Sequence, residues 1–298
     1  MTRLVPRREA RRRLTRRVGF SLLVACPAAG AFATPLAAQS VCRPSADSHE
    51  ARTMATFSVP LAFGPAGAPG PRTGLSLGLE AASVPNVDPV TATPTTCQPG
   101  KGPENTDLLP ALARPRIAVP LPLGLALDAS WIPPVRVAGV KANLIGLSLS
   151  KSIGGPDGLA AAVRAHTTFG SIRGPITCDR EALGDPVSEC FQGTLSDDRY
   201  SPNIIGVDVS LGGSLAGGRL RPYAGSGYSR LQSRFQVHFR NQFGGLDTTR
   251  VAVNLDRVAV FGGAAWQVSD RLALTGEIYA VPADAAVGRL IVRRTLGP

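Results

Sequence analysis

The chain has 298 residues, with 32 Lys and Arg against 21 Asp and Glu, a formal net charge of +11, 44% hydrophobic residues, 18% charged and 5% aromatic. Its length suits one large domain or two small ones, and its 33 Gly and 26 Pro exclude coiled coils and helical repeats, because both residues interrupt helix interiors. The basic excess suggests nucleic acid until its position is read.

Residues 1–17 hold eight arginines against the single Glu9, and Val18 to Cys42 carries no charge. A basic head, the apolar run from Val18 to Ala25 and small residues ending in Ala37-Ala38-Gln39 form the layout of a signal peptide over 1–39. Leu23-Val24-Ala25-Cys26 also fits a lipobox that would lipidate Cys26, but the residues after Cys26 stay apolar instead of becoming a polar tether. Arg16-Arg17 is a weak twin-arginine signal in so basic a head, and Pro27, Gly30 and Pro35 make a poor spanning helix. Without this segment the chain carries about +4, spread along its length with no aromatic-rich recognition segment, so no nucleic-acid partner is expected.

Next comes an N-terminal segment, 40–73, in which 52–62 reads as one extra strand or as an extension. Cys42, Cys97, Cys178 and Cys190 remain after cleavage, and an even count in an exported chain implies two disulfides. The simplest of three pairings joins Cys178 to Cys190 and Cys42 to Cys97. With no C-x-x-C and only His49, His166 and His238 to help, no metal and no cofactor is expected.

From residue 74 to 298 the apolar residues alternate at the period of a strand with one buried face. The predicted strands run 74–84, 112–119, 124–132, 137–152, 158–171, 203–212, 219–239, 250–268, 271–281 and 287–296. That is ten, within a range of eight to twelve. Pro120 and Pro122 would remove ladder donors from a continuous strand, so a hairpin turns between Pro120 and Gly124. Leu272, Leu274, Gly276, Ile278 and Ala280 share one face, opposite Arg271, Ala273, Thr275, Glu277 and Tyr279. The strands over 158–171 and 203–212 divide the same way, with Arg164, His166 and Asp208 on their polar faces.

A soluble sandwich and a membrane barrel both alternate, with the apolar face inward in one and toward lipid in the other. The export signal, the strand length and the contrast of tight turns with long loops select the barrel. Gly154 to Gly158, Gly212 to Gly218 and Ser269-Asp270 are turns, whereas Gly174 to Ser201 and Asn241 to Thr249 are long polar excursions.

Leu220-Arg221-Pro222-Tyr223-Ala224-Gly225-Ser226-Gly227-Tyr228 resembles a strand common in small bacterial outer-membrane β-barrels of the OmpA/OmpW-like group. Phe261 to Tyr279 is similar to the strand, tight turn and strand that follow it there. The resemblance covers about residues 200–298 and implies architecture, with glycines leaving room in a narrow lumen for Arg and Tyr side chains. It also implies the outer-membrane lipid and the barrel assembly machinery as partners. Such barrels usually end in an aromatic residue, whereas this chain ends Arg293-Arg294-Thr295-Leu296-Gly297-Pro298, which implies either that Leu296 substitutes or that insertion is atypical. The apolar phase of 219–239 changes near Arg230, which reads as a bulge or a strand projecting beyond the bilayer.

No catalytic motif stands out. Gly212-Gly213-Ser214-Leu215-Ala216 misses the last glycine of a nucleophile elbow. The inward ionisable set Arg164, His166, Asp208, Arg221, Glu277, Arg289 and Arg293 reads as a lumen charge network, since buried ions must pair. The catalytic alternative, a lipid hydrolase using His166 with Glu277, would also need an exposed nucleophile. Asp179, Glu181, Asp185, Glu189, Asp197 and Asp198 lack EF-hand spacing and are interspersed with arginines, which favours a solvated loop over a calcium site.

The sequence therefore predicts an all-β, antiparallel up-and-down transmembrane β-barrel in the cell outer membrane, not an enzyme. Its narrow polar lumen, largely filled by side chains, suits a structural role or passive passage of small solutes, with the solute unknown. The alternative from another class is a secreted or surface soluble β-domain that binds ligands through disulfide-stapled loops.

Overall fold

The computed structural model describes residues 41–65, 67–72, 74–107, 109–155 and 158–296. The expected signal peptide, Cys26 included, lies outside these residues. Ten long strands dominate: β1 Leu75–Ser83, β2 Ala111–Leu121, β3 Leu125–Ile132, β4 Val140–Gly154, β5 Ala160–Gly174, β6 Ile204–Gly212, β7 Leu220–Leu231, β8 Leu255–Ser269, β9 Leu272–Val281 and β10 Ala285–Leu296. Each pairs antiparallel with its neighbour in sequence, and β10 returns to β1 from Leu75 opposite Leu296 to Ala82 opposite Arg289. The sheet is thus a closed barrel, which leaves no strand edge among the ten.

The direction of each side chain follows from the alternation. On β9, Glu277 is 4% exposed while its neighbour Ile278 is 66% exposed. Leu79, Val163, Val207, Val209 and Leu290 likewise face outward, giving a closed cylinder with an apolar outer face, as a transmembrane barrel requires. Trp131, Phe169 and Tyr228 on the outer face toward one end, and Trp266 toward the other, stand where interfacial aromatics anchor a barrel. A soluble β-domain would need the apolar faces to pack on one another, and they do not.

Connections divide the barrel into a turn end and a loop end. Residues 122–124, 155–159, 213–219 and 270–271 close short hairpins at the turn end; 84–110, 175–203 and 232–254 are the long excursions at the opposite end. The hairpins over 133–139 and 282–284 are also at the loop end and are short, so the predicted contrast holds for three of its five connections. The phase change near Arg230 marks the end of β7 at Leu231; the chain resumes as a short strand, Arg234–Gln236. That strand pairs with Asp198–Ser201 and with Arg250–Ala252, extending the sheet above the barrel.

Residues 52–62 are not an extra strand. They belong to a helix, α1, spanning His49–Leu61, whose buried residues Ala51, Met54, Ala55, Ser58 and Val59 recur at helical spacing. Ser48 caps its start by accepting the Ala51 N–H. Thr53, Thr56, Phe57 and Val59 favour strands, but the ten strands of the barrel are all paired on both sides and the helix satisfies its own backbone. The helix occupies the loop-end part of the lumen, and residues 62–72 continue toward the turn end, where β1 begins.

Candidate functional site

The lumen is held by arginines that reach inward from the wall to the last turn of α1 and the stretch after it. A helix C-terminus leaves carbonyls without intrahelical partners and carries partial negative charge. Arg289 donates to the Val59 and Ala62 carbonyls at 3.1 and 3.0 Å, and Arg114 donates to Leu61 and Ala62 at 3.2 and 3.0 Å. The Thr168 hydroxyl adds a bond to Leu61 at 3.1 Å. Beyond the helix, Arg164 donates to the Phe63 carbonyl, Arg116 to Gly64 and Arg221 to Pro69. Phe63 is fully buried beneath the Arg116 guanidinium, 4.0 Å from its ring centre. Gly146 makes room for it, since a Cβ there would lie 3.0 Å from the Phe63 ring.

Carboxylates from the wall complete the network. Glu80 is fully buried and pairs with Arg114 and Arg116 at 2.6 Å each, with Arg289 at 3.9 Å. Glu277 receives Arg289 at 3.3 Å and the Tyr223 hydroxyl at 2.8 Å. Asp208 receives Arg164 through two bonds and lies 3.6 Å from His166 Nε2. Asp128 pairs with Arg72 of the inserted segment at 2.7 Å. The expected set, Arg164, His166, Asp208, Arg221, Glu277, Arg289 and Arg293, all faces the lumen, with Arg293 half-buried beside Gly67. Sequence reasoning missed Glu80, Arg114, Arg116 and Asp128, although each occupies the polar phase of its alternating strand. It also missed the insert as their partner, expecting side chains of the wall largely to fill the interior.

The hydrolase alternative meets a different geometry from the one it needs. Glu277 is engaged by Arg289 and Tyr223 rather than His166. Asp208, His166 and Ser148 do follow one another across β6, β5 and β4, with His166 Nδ1 and Ser148 Oγ unpaired. All three are about 95% or more buried.

At the loop end a cavity of about 150 Å³ lies between α1, the 84–110 loop and the upper wall. Its surface is almost wholly apolar, with Met54, Phe57, Leu112, Ile172, Phe235 and Val251 among the lining side chains. Both disulfides form at this end. Cys42–Cys97, with Cα atoms 5.7 Å apart, ties the start of the insert to the 84–110 loop, and Cys178–Cys190, at 5.5 Å, closes the 175–203 loop. Glu50 Oε1 accepts the N–H groups of Thr95, Thr96 and Cys97 at 2.7 to 3.1 Å. Burial acts to raise the Glu50 pKa, but these donors prevail and hold it below the usual carboxylate range. Burial pushes Glu104 up to about 7, against the attraction of Lys101.

The acidic residues of the 175–203 loop serve the structure around them. Asp179 caps a turn at Ala182 and holds Asn105, Asp197 meets Arg173, and Asp198 accepts the N–H groups of Thr177 and His238. Glu189 pairs with Lys101 at 2.8 Å.

No protein-family description matches the sequence, and no curated protein does. Among solved structures, the chain is similar to the attachment invasion locus protein Ail of Yersinia pestis at 8% identity and a TM-score of 0.30, over 75% of this chain and 98% of that one. The outer membrane protease OmpT from Escherichia coli matches at 10% identity and a TM-score of 0.38, over 75% and 94%. The KdgM porin matches at 8% and 0.30, over 74% and 99%. The membrane assignment rests on this chain's own closed sheet and apolar exterior.

Proposed function

We propose that this barrel is a plugged conduit for the limited passage of small amphipathic solutes across the outer membrane, and that it is not an enzyme. The loop-end cavity carries this reading. It is floored by α1, the element that fills the lumen, so an occupant of the cavity touches the part that would have to move for anything to pass. Apart from the Arg72–Asp128 pair and the Phe63–Arg116 contact, the wall grips the insert through main-chain carbonyls, which impose no particular side chains and can exchange one donor for another. A purely structural barrel has no need of an apolar cavity resting on its plug.

Passage is tested with proteoliposomes loaded with phenyl glucoside, an amphipathic solute that crosses lipid slowly. The wild-type protein is expected to release it faster than empty liposomes do. Arg116→Met, which gives up the Gly64 carbonyl and one of the two short Glu80 pairs, is expected to release it faster still. Release at the rate of empty liposomes from both proteins would leave only the structural role.

A further inference from the structure

We infer that the loop-end cavity is a binding site for a small ligand made of one benzene-sized apolar group and a protonated amine, the amine meeting Glu104 and Glu50. This deepens the passage reading and rests on it for its biological role, while the site itself stands on geometry alone.

Size comes first. A cavity of about 150 Å³ matches the volume at which an apolar protein cavity of roughly 150 Å³ takes up benzene. Small-molecule sites are typically apolar and concave, with a few polar groups that fix orientation. Most polar side chains lining this one are already committed. Thr53 donates to the Thr91 carbonyl, Gln98 to Asp247 and Thr249, Asn105 to Asp179, Thr106 to the Val87 carbonyl, and Tyr200 to the Met54 carbonyl.

Two of the side chains that line it, Glu50 and Glu104, each keep one oxygen, Oε2, that is buried and without a hydrogen-bond partner. Leaving such atoms buried and unpaired is costly, and a donor that arrives with a ligand removes the cost. A cation does so best, because charge-assisted bonds are the stronger kind. The resident cation that acts on Glu104, Lys101, is paired with Glu189 at 2.8 Å. Asp198 and Glu189, on the elements packed against Glu104, add negative charge to it, and the Thr177 hydroxyl is the neutral donor that faces it from the same loop. The site therefore selects for an ammonium and against a carboxylate, while its walls select for an apolar body.

The test is calorimetric titration of the full refolded chain in amphipol at about pH 8, where an amine is protonated and Glu104 ionised. Benzylamine is expected to bind saturably, one per barrel, with ethylbenzene and benzoate at least about tenfold weaker. Glu104→Gln should bring benzylamine down to the level of ethylbenzene and leave ethylbenzene unchanged. Ala142→Phe, which fills the cavity from the wall, should abolish both, with heat-modifiable gel mobility showing that each variant is folded. Equal binding of benzylamine and ethylbenzene, or benzylamine binding that Glu104→Gln leaves unchanged, would overturn the inference, as would no binding to folded wild-type protein. Benzylamine binding without phenyl glucoside release would remove the passage reading and keep the site. Release without benzylamine binding would keep passage and remove the site.

Discussion

Glu80 has more partners than any other carboxylate in the lumen network, and its removal should cost more than a single ion pair. It is fully buried and stands between Arg114, Arg116 and Arg289. Glu80→Gln leaves three guanidinium groups without their shared counter-charge, and breaking a buried pair typically costs about 3–5 kcal/mol. Urea unfolding in detergent should show a loss of that order, while Glu181→Gln, on the 175–203 loop, should leave the midpoint unchanged. At the loop end the residue to watch is Glu104. Its folded pKa of about 7 lies above the ordinary glutamate value, so the folded chain binds the proton more tightly than the unfolded one. The associated stability is fully present below the ordinary value and is lost as pH rises toward about 7. Thermal melts between pH 4 and 8 should show this decline, and Glu104→Gln should flatten it.

At the scale of elements, α1 is held at two points of different chemistry. Wall arginines grip its C-terminal carbonyls, and Cys42–Cys97 ties the chain before its N-terminus to the 84–110 loop. The disulfide spans 55 residues, and the chain-entropy account assigns a loop of that length about 4 kcal/mol. Replacing both cysteines with serine should therefore lower stability by up to that amount and raise the phenyl glucoside release rate, with the barrel itself still heat-modifiable. If stability falls while release stays unchanged, the tether has no part in gating. This element was also the least legible in the sequence. Its Thr, Phe and Val residues fit a strand as well as a helix, and the spacing of Ala51, Met54, Ala55, Ser58 and Val59 decides for the helix only once the surrounding wall is known.

For the whole molecule, the decisive property is which side of the sheet meets lipid. Ile278→Arg puts a charge on the outer face near the middle of β9 and should cost about 2–4 kcal/mol in a bilayer. The same substitution on a water-facing strand would be close to neutral. Reversible unfolding from phospholipid vesicles separates the two outcomes. The ten strands were readable because alternation, turn residues and strand length all report on the same local geometry. For that reason the predicted bounds fall within a few residues of the observed ones at most ends. Where they diverge, as between Leu231 and Leu255, the chain has left the bilayer and no lipid face enforces the period.

The sequence by itself determined the alternating strands, their polar and apolar faces and the cysteines available for pairing, because each depends on local spacing and on the two environments a membrane wall must meet. It also placed Arg164, His166, Asp208, Arg221, Glu277, Arg289 and Arg293 on the inner face. Only the tertiary structure decided what those side chains hold. Glu80, Arg114, Arg116 and Asp128 acquire their importance from residues far away in sequence, and the arginines bind main-chain carbonyls, which every residue carries and which therefore leave no trace in composition or pattern. The cavity is likewise a product of three separate elements meeting at the loop end, and its unpaired carboxylate oxygens become recognisable only when every neighbouring donor has been assigned.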